Sequence, residues 1–171
     1  MLRHELARVL TSDGAVAGVG QHGILNPRRC CIAFTGDAMS YSRQMLDTFP
    51  RTISIDAGLL AATIDALSDC AQACTADTDA DLSEDNLAEM VKCIRLCLNC
   101  TDICTATAGI LSRLAEYDAD ATRPLLEACA ATCKSCGDEC ERHAHMPHCR
   151  ICAEACRRCE QACRDLLGAL K

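Results

Sequence analysis

The chain has 171 residues, seventeen cysteines, no tryptophan and a formal net charge of −7. This length suffices for one domain with a core of its own, and the acidic balance argues against a nucleic-acid partner. Aromatic residues make up only 2% of the chain, so the core has to be built from leucine, isoleucine, alanine and cysteine. Abundant alanine and leucine, with few glycines and prolines, favour an all-α fold.

Residues 1–38 differ in composition from the rest of the chain. Any helix after the first dozen residues is interrupted by Gly14, Gly18, Gly20, Gly23 and Pro27, and the segment lacks the apolar core of a signal peptide. No apolar run in the sequence approaches the length of a membrane span. We therefore expect a mobile N-terminal tail over residues 1–38, a cytoplasmic location and no membrane partner.

Residues 39–171 are predicted to form a cysteine-rich, up-down-up-down bundle of four helices. Met39–Phe49 is predicted as a short amphipathic helix that precedes the bundle, with Met45 and Leu46 inward. Short connections make consecutive helices antiparallel. The four long helices are expected at about residues 54–77, 83–116, 123–143 and 147–169.

Several residues are typical of helix starts. Ser54 is a suitable N-cap for the first long helix, and Leu82 with Leu87 are placed as a hydrophobic staple for the second. Pro124 and Pro147 fit the first turns of the third and fourth helices.

Cysteines repeat along the predicted helices at spacings of four, three and four residues. Such spacing follows one face of a helix in a bundle, where leucine, isoleucine or valine is usual. In an antiparallel bundle these rows gather at one end, and leucines collect at the other. Fifteen cysteines belong to the rows: Cys70, Cys74, Cys93, Cys97, Cys100, Cys104, Cys129, Cys133, Cys136, Cys140, Cys149, Cys152, Cys156, Cys159 and Cys163.

Metal binding is favoured over disulfide formation. A reducing compartment keeps cysteines as thiols. Neighbours three or four apart on a helix hold their Cβ atoms roughly 5–6 Å apart, whereas a disulfide needs about 3.5–4.5 Å. Thiols along four facing rows do not divide into separate tetrahedral zinc sites. Soft Cu(I) suits an all-thiolate site, and one Cu(I) per thiolate leaves the core neutral, which suggests on the order of 15 ions.

The connection before the last helix adds further candidate ligands at the cysteine-rich end. His143, His145 and His148 are predicted to receive metal there. Met90 and Met146 are equally consistent with packing and with weak ligation. The aspartates of residues 77–81 are predicted to form a solubilising loop. The charged residues between the cysteines are expected to be solvated on the outward faces, and no role is assigned to them; they are Lys92, Arg95, Asp102, Lys134, Asp138, Glu139, Arg157, Arg158 and Glu160.

The cysteine repeats at 93–104, 129–140 and 152–163, with the shorter copy at 70–74, resemble those of bacterial copper storage proteins, in particular the cytosolic branch. The resemblance covers roughly residues 40–171. It implies a four-helix bundle filled with Cu(I), a homotetramer without catalytic activity, and histidines 143, 145 and 148 lining the end where metal arrives. Cys30 and Cys31 lie outside the pattern and receive no ligand role. A copper chaperone is a candidate partner.

Other functions stay open at this point. An iron–sulfur carrier also uses closely spaced cysteines, although its ligands usually lie in loops that converge on one point. A zinc or thiol redox buffer and a disulfide-stapled interaction module are further alternatives. An enzyme is disfavoured, because a catalytic cysteine is normally one activated nucleophile beside a base.

Overall fold

The computed structural model describes residues 39–170, and these form five α-helices. The predicted tail and its two cysteines lie outside the described residues. The helices are α1 (Tyr41–Asp47), α2 (Ala57–Asp81), α3 (Leu87–Leu111), α4 (Ala119–Arg142) and α5 (Pro147–Ala169).

The four long helices form a closed ring. Helix α2 packs against α3 and α5, and α4 packs against the same two helices. The short connections make consecutive helices antiparallel. The predicted all-α four-helix bundle is therefore confirmed.

The helix starts agree only in part with the sequence predictions. Asp56, two residues after the expected Ser54, caps α2, because its side chain accepts a hydrogen bond of 2.7 Å from the backbone N–H of Leu59. Pro147 opens α5 as predicted. Pro124 does not open α4, since this helix already begins at Ala119.

The connection between α2 and α3 lies about four residues later in the chain than expected. Helix α2 continues to Asp81, and α3 begins at Leu87 rather than near Ser83. Leu82 and Leu87 are both exposed, so the predicted hydrophobic staple is wrong. This connection, together with that between α4 and α5, forms the end of the bundle that we call the mouth.

Helix α1 packs against α2. Leu46 is buried as predicted, but Met45 is 70% exposed. Adjacent helical residues point about 100° apart, and a helix with a single contact surface buries only one of them.

The end of the bundle opposite the mouth is filled by leucine. Leu60, Leu111, Leu126 and Leu166 are fully buried there. Thr63 is buried on α2, and its hydroxyl is paired because it donates to the carbonyl of Leu59 at 2.9 Å. The bundle is thus closed by hydrocarbon at this end.

Helix α3 is long and apolar enough, by length and composition, to span a membrane. The sequence expectation that no run reaches this length is therefore wrong. Buried helices of soluble proteins also pass this test, and the cysteine row of α3 is fully buried against the other helices.

Candidate metal centre

All fifteen cysteines of the predicted rows are free and buried, each with at most 1% of its surface exposed. We call this group the cysteine core. Its placement confirms that the four-three-four spacing marks the inward face of each helix.

Sulfur atoms from all four helices meet around Cys100. Its Sγ lies 3.7 Å from those of Cys70 and Cys133, and 4.0 Å from that of Cys156. Along α3, Cys104 lies 3.9 Å away. These separations are far above the roughly 2.05 Å of a disulfide. They leave each sulfur free to share metal ions with several neighbours.

The cysteine core contains overlapping groups of four sulfurs whose Sγ atoms all lie within 4.8 Å of one another. Cys100 belongs to two of these groups, and so does Cys70. Ions in overlapping groups must share thiolates, which favours clusters over isolated tetrahedra. The all-thiol groups are Cys70–Cys100–Cys104–Cys133, Cys70–Cys74–Cys100–Cys156, Cys74–Cys97–Cys136–Cys152 and Cys104–Cys129–Cys133–Cys159.

Two aspartates reach into the core at its mouth. Asp77 is 2% exposed and Asp81 is fully buried, whereas Asp79 is exposed. The prediction of a solubilising loop is therefore wrong for the first two. Because α2 stays helical through Asp81, Asp77 and Asp81 extend the row of Cys70 and Cys74 with the same spacing.

Asp77 joins a histidine to the thiols. Its Oδ1 lies 2.8 Å from Nδ1 of His148. Its Oδ2 accepts from the Sγ atoms of Cys97 and Cys140 at 3.4 and 3.5 Å. The Nε2 of His148 lies 3.1 Å from Glu84. A continuous hydrogen-bonded path thus runs from two core thiols to the surface.

The carboxylate of Asp81 makes fewer hydrogen bonds than that of Asp77. Its Oδ1 accepts from the thiol of Cys149 at 3.5 Å, while Oδ2 is buried with no hydrogen-bond partner. Burial raises the pKa of both Asp77 and Asp81. Burial likewise raises the pKa of the Cys149 thiol, and the negative charges of the two aspartates add to this effect.

The pKa of His148 is raised as well, but by hydrogen bonds rather than by burial. Desolvation disfavours its charged form, but hydrogen bonds with Asp77 and Glu84 outweigh this and raise its pKa. The mouth therefore holds groups that take up protons more readily than the same side chains do in water.

The three predicted histidines lie at different depths. His148 touches the cysteine core, with its Nδ1 3.5 Å from Sγ of Cys149. His143 is partly buried, with its Nε2 3.7 Å from Glu139. His145 is exposed, and its ring centroid lies 6.5 Å from that of His143. Met90 is buried in the hydrophobic core, and Met146 is partly buried and packs against that core.

Some charged residues that received no role connect the helices. Glu139 is buried and pairs with Lys92, so α4 is tied to α3. Arg157 donates to Asp138 and Glu141, so α5 is tied to α4. The expectation that Glu139 is simply solvated is wrong, because its carboxylate is covered at the junction of the two helices.

Comparison with known proteins matches this architecture. The family model of the copper storage protein, Csp, matches residues 57–168. The copper storage protein Ccsp from Streptomyces lividans, solved with 10 copper equivalents, is 53% identical with a TM-score of 0.74, over 75% of this chain and 99% of its own.

Two further proteins are less similar to this chain. The Cu(I)-bound copper storage protein BsCsp3 is 32% identical with a TM-score of 0.56, over 63% of this chain and 97% of its own. The cysteine-rich protein YhjQ of Bacillus subtilis, described as uncharacterized, is 34% identical over 94 residues, which are 55% of this chain and 82% of that protein. The family model spans every cysteine of the core, and the chain belongs to the copper storage protein family.

Proposed function

We propose that this protein stores copper in the cytosol, and so protects the cell from it, by holding many Cu(I) ions on its core thiolates. One observation carries the proposal: fifteen free, buried thiols from all four helices form a continuous core of sulfur. Family membership supports it, and a related protein from Streptomyces lividans is described as a cytosolic copper storage protein.

Charge balance explains why a monovalent soft ion suits this core. Each Cu⁺ that binds a thiol displaces one proton and leaves a neutral Cu–S unit. Uncompensated charge in such a buried place is very costly, so one ion per thiolate is the favoured ratio, on the order of 15 ions per chain. The ligands are the fifteen cysteines of the core.

The copper-free protein folds by the packing of the same cysteine and leucine side chains. A protonated cysteine behaves as a small hydrophobic side chain, and the leucine-filled end supplies a core that needs no metal. Folding therefore does not depend on copper binding, whereas a zinc finger folds only when its metal is bound.

The mouth is the place where copper arrives. His143 and His145 lie at the rim, and His148 lies between the rim and Cys149. We assign all three histidines to the transfer of metal into the core. Asp77 takes up a proton from Cys97 or Cys140 as these become thiolates, and His148 relays it outward. A copper-carrying protein would hand over its ion here.

We further propose a homotetramer, consistent with an exposed apolar row on α3. Leu87, Val91 and Leu98 are 42%, 57% and 49% exposed and recur at intervals of four and seven residues, which places them on one side of the helix. Covering this row with another copy would remove apolar surface from water. We assign no catalytic step to the near-equivalent thiols.

The experiment that tests the function is a titration of reduced protein with Cu(I) in competition with a coloured chelator. We expect about 15 ions per chain by the ratio of one ion per thiolate, and no absorption in the visible. Brown colour on reconstitution with iron and sulfide would favour an iron–sulfur carrier. Retention of Zn(II) across the whole core against Cu(I) would favour a zinc buffer.

A further inference from the structure

The mouth contains one group of ligands unlike the all-thiol groups deeper in the core. Its members are Asp77, Cys97, Cys140 and Cys152, whose ligand atoms all lie within 4.8 Å of one another. All four side chains are buried. The carboxylate distinguishes this group chemically, because an oxygen ligand suits borderline divalent ions better than soft Cu(I).

Four of the six distances between ligand atoms in this group match a tetrahedral divalent site. Zinc bonds of about 2.3 Å to sulfur and 2.0 Å to oxygen at tetrahedral angles place sulfurs about 3.8 Å apart and sulfur and oxygen about 3.5 Å apart. Cys97 lies 3.7 Å from Cys140 and 3.9 Å from Cys152. Asp77 Oδ2 lies 3.4 Å from Cys97 and 3.5 Å from Cys140.

The surroundings orient the carboxylate for this purpose. His148 holds Oδ1 of Asp77 at 2.8 Å, so Oδ2 is the oxygen that faces the thiols. Glu84 in turn fixes the other ring nitrogen of His148. Partners of this kind, which hydrogen-bond a ligand from behind, are the usual support of protein metal sites.

We propose that the mouth carries a separate tetrahedral site for one borderline divalent ion of the Zn(II) class, with three sulfur ligands and one oxygen ligand. The site lies across the path into the cysteine core. A bound divalent ion keeps the mouth thiols deprotonated and closes that path until Cu(I), the softer ion, takes over the thiolates.

Cobalt(II) is the probe, because its visible bands report tetrahedral geometry and its ultraviolet bands report bonds to sulfur. Reduced, copper-free full-length protein is titrated with Co(II) under nitrogen. We expect tetrahedral bands that saturate near one equivalent per chain and are bleached by Zn(II). Absence of such bands in the unmodified protein would overturn the proposal.

Variants locate the ion. Asp77→Ala should weaken Co(II) binding by about tenfold or more, while Asp79→Ala, which changes an exposed aspartate of the same helix, should leave it unchanged. Cys133→Ser, deeper in the core, should also leave it unchanged. An unaltered cobalt titration in Asp77→Ala would overturn the assignment. Asp77→Asn, with far-ultraviolet circular dichroism, separates loss of the ligand from loss of the fold.

The Cu(I) capacity of the same preparations tests the storage function independently. Asp77→Ala should keep nearly the whole Cu(I) capacity, because its fifteen thiols are intact. A protein that stores copper but binds no cobalt refutes only the divalent site.

Discussion

Nδ1 of His148 lies 2.8 Å from Oδ1 of Asp77, whose other oxygen lies 3.4 Å from the sulfur of Cys97. One buried carboxylate thus connects a partly exposed imidazole with the thiols of the core. Each thiol that binds Cu(I) has to lose its proton, and this contact gives that proton a hydrogen-bonded way out. We therefore expect this contact to affect the rate of Cu(I) loading rather than the number of ions held.

Replacing His143, His145 and His148 together with alanine should slow Cu(I) loading by about tenfold or more, because the proposed rim ligands and the proposed proton relay are lost. Most of the capacity should remain, since the fifteen thiols are untouched. Stopped-flow absorbance of the Cu(I)–thiolate bands measures the rate, and chelator competition measures the capacity.

The exposed His145 supplies the matched control for this variant. His145→Ala alone should load more nearly at the unmodified rate, because His148 still contacts Cys149. Loss of most of the capacity in the triple variant would mean that the stored ions lie at the mouth rather than along the core.

Replacing Cys97 and Cys133 with serine should lower the Cu(I) stoichiometry without unfolding the copper-free protein. Both thiols belong to shared groups of sulfur ligands, and an oxygen in their place is a poor ligand for Cu(I). Serine is close to cysteine in size, and its hydroxyl is able to donate to the carbonyl one turn earlier. We expect a loss of about 1 kcal/mol in unfolding free energy per site.

Chelator competition and chemical unfolding of the copper-free variant measure these two effects. A variant that is unfolded without copper would show that the two thiols are structural rather than dedicated to storage.

The sequence was sufficient to predict the bundle and the inward position of every core cysteine, because a spacing of four, three and four residues fits only one face of a helix. Continued from Cys70 and Cys74, the same spacing leads to Asp77 and Asp81. The sequence therefore already contained the pattern that indicates an inward position for these two aspartates. Aspartate is a weak helix former and typical of turns, so the helix was predicted to end too early and the row was not followed.

Helix ends were predicted less well, for physical reasons. The N-cap of α2 is Asp56 rather than the predicted Ser54. Serine and aspartate side chains both accept the hydrogen bond of an N-cap, so residue type alone does not distinguish the two positions. Pro124 is tolerated inside α4, which no local rule would indicate. The contact between His148 and Asp77 joins residues far apart in sequence and could not be read from either segment alone.

Leu98→Glu should dissociate the proposed homotetramer into smaller species. Leu98 is 49% exposed on the surface of α3. A charged side chain there costs little free energy in an isolated chain, because water solvates it, but much in an interface that excludes water. Light scattering coupled to size-exclusion chromatography measures the mass, and Asn99→Glu, at the exposed neighbouring position, is the control. An unchanged tetramer in Leu98→Glu would place the interface elsewhere, and a monomeric unmodified protein would refute the assembly.

Asp81→Asn should stabilise the copper-free protein at neutral pH by about 1 kcal/mol, because the variant no longer buries a negative charge, one oxygen of which has no hydrogen-bond partner. Burial raises the pKa of Asp81, although the thiols of Cys93 and Cys149 and the charge of His148 act against this rise. The folded protein therefore binds this proton more tightly than the unfolded chain does. The unfolding free energy falls as pH rises from the ordinary value of 3.8 through the raised pKa.

The advantage of Asp81→Asn should accordingly shrink as the pH is lowered and be absent below 3.8, where the aspartate is protonated in both states. Urea unfolding at neutral pH and at a pH below 3.8 measures the difference, with Asp79→Asn as the exposed control on the same helix. If Asp81→Asn were instead destabilising at neutral pH, the carboxylate would be held by a positive charge on His148. Burial would then not be the dominant influence on Asp81.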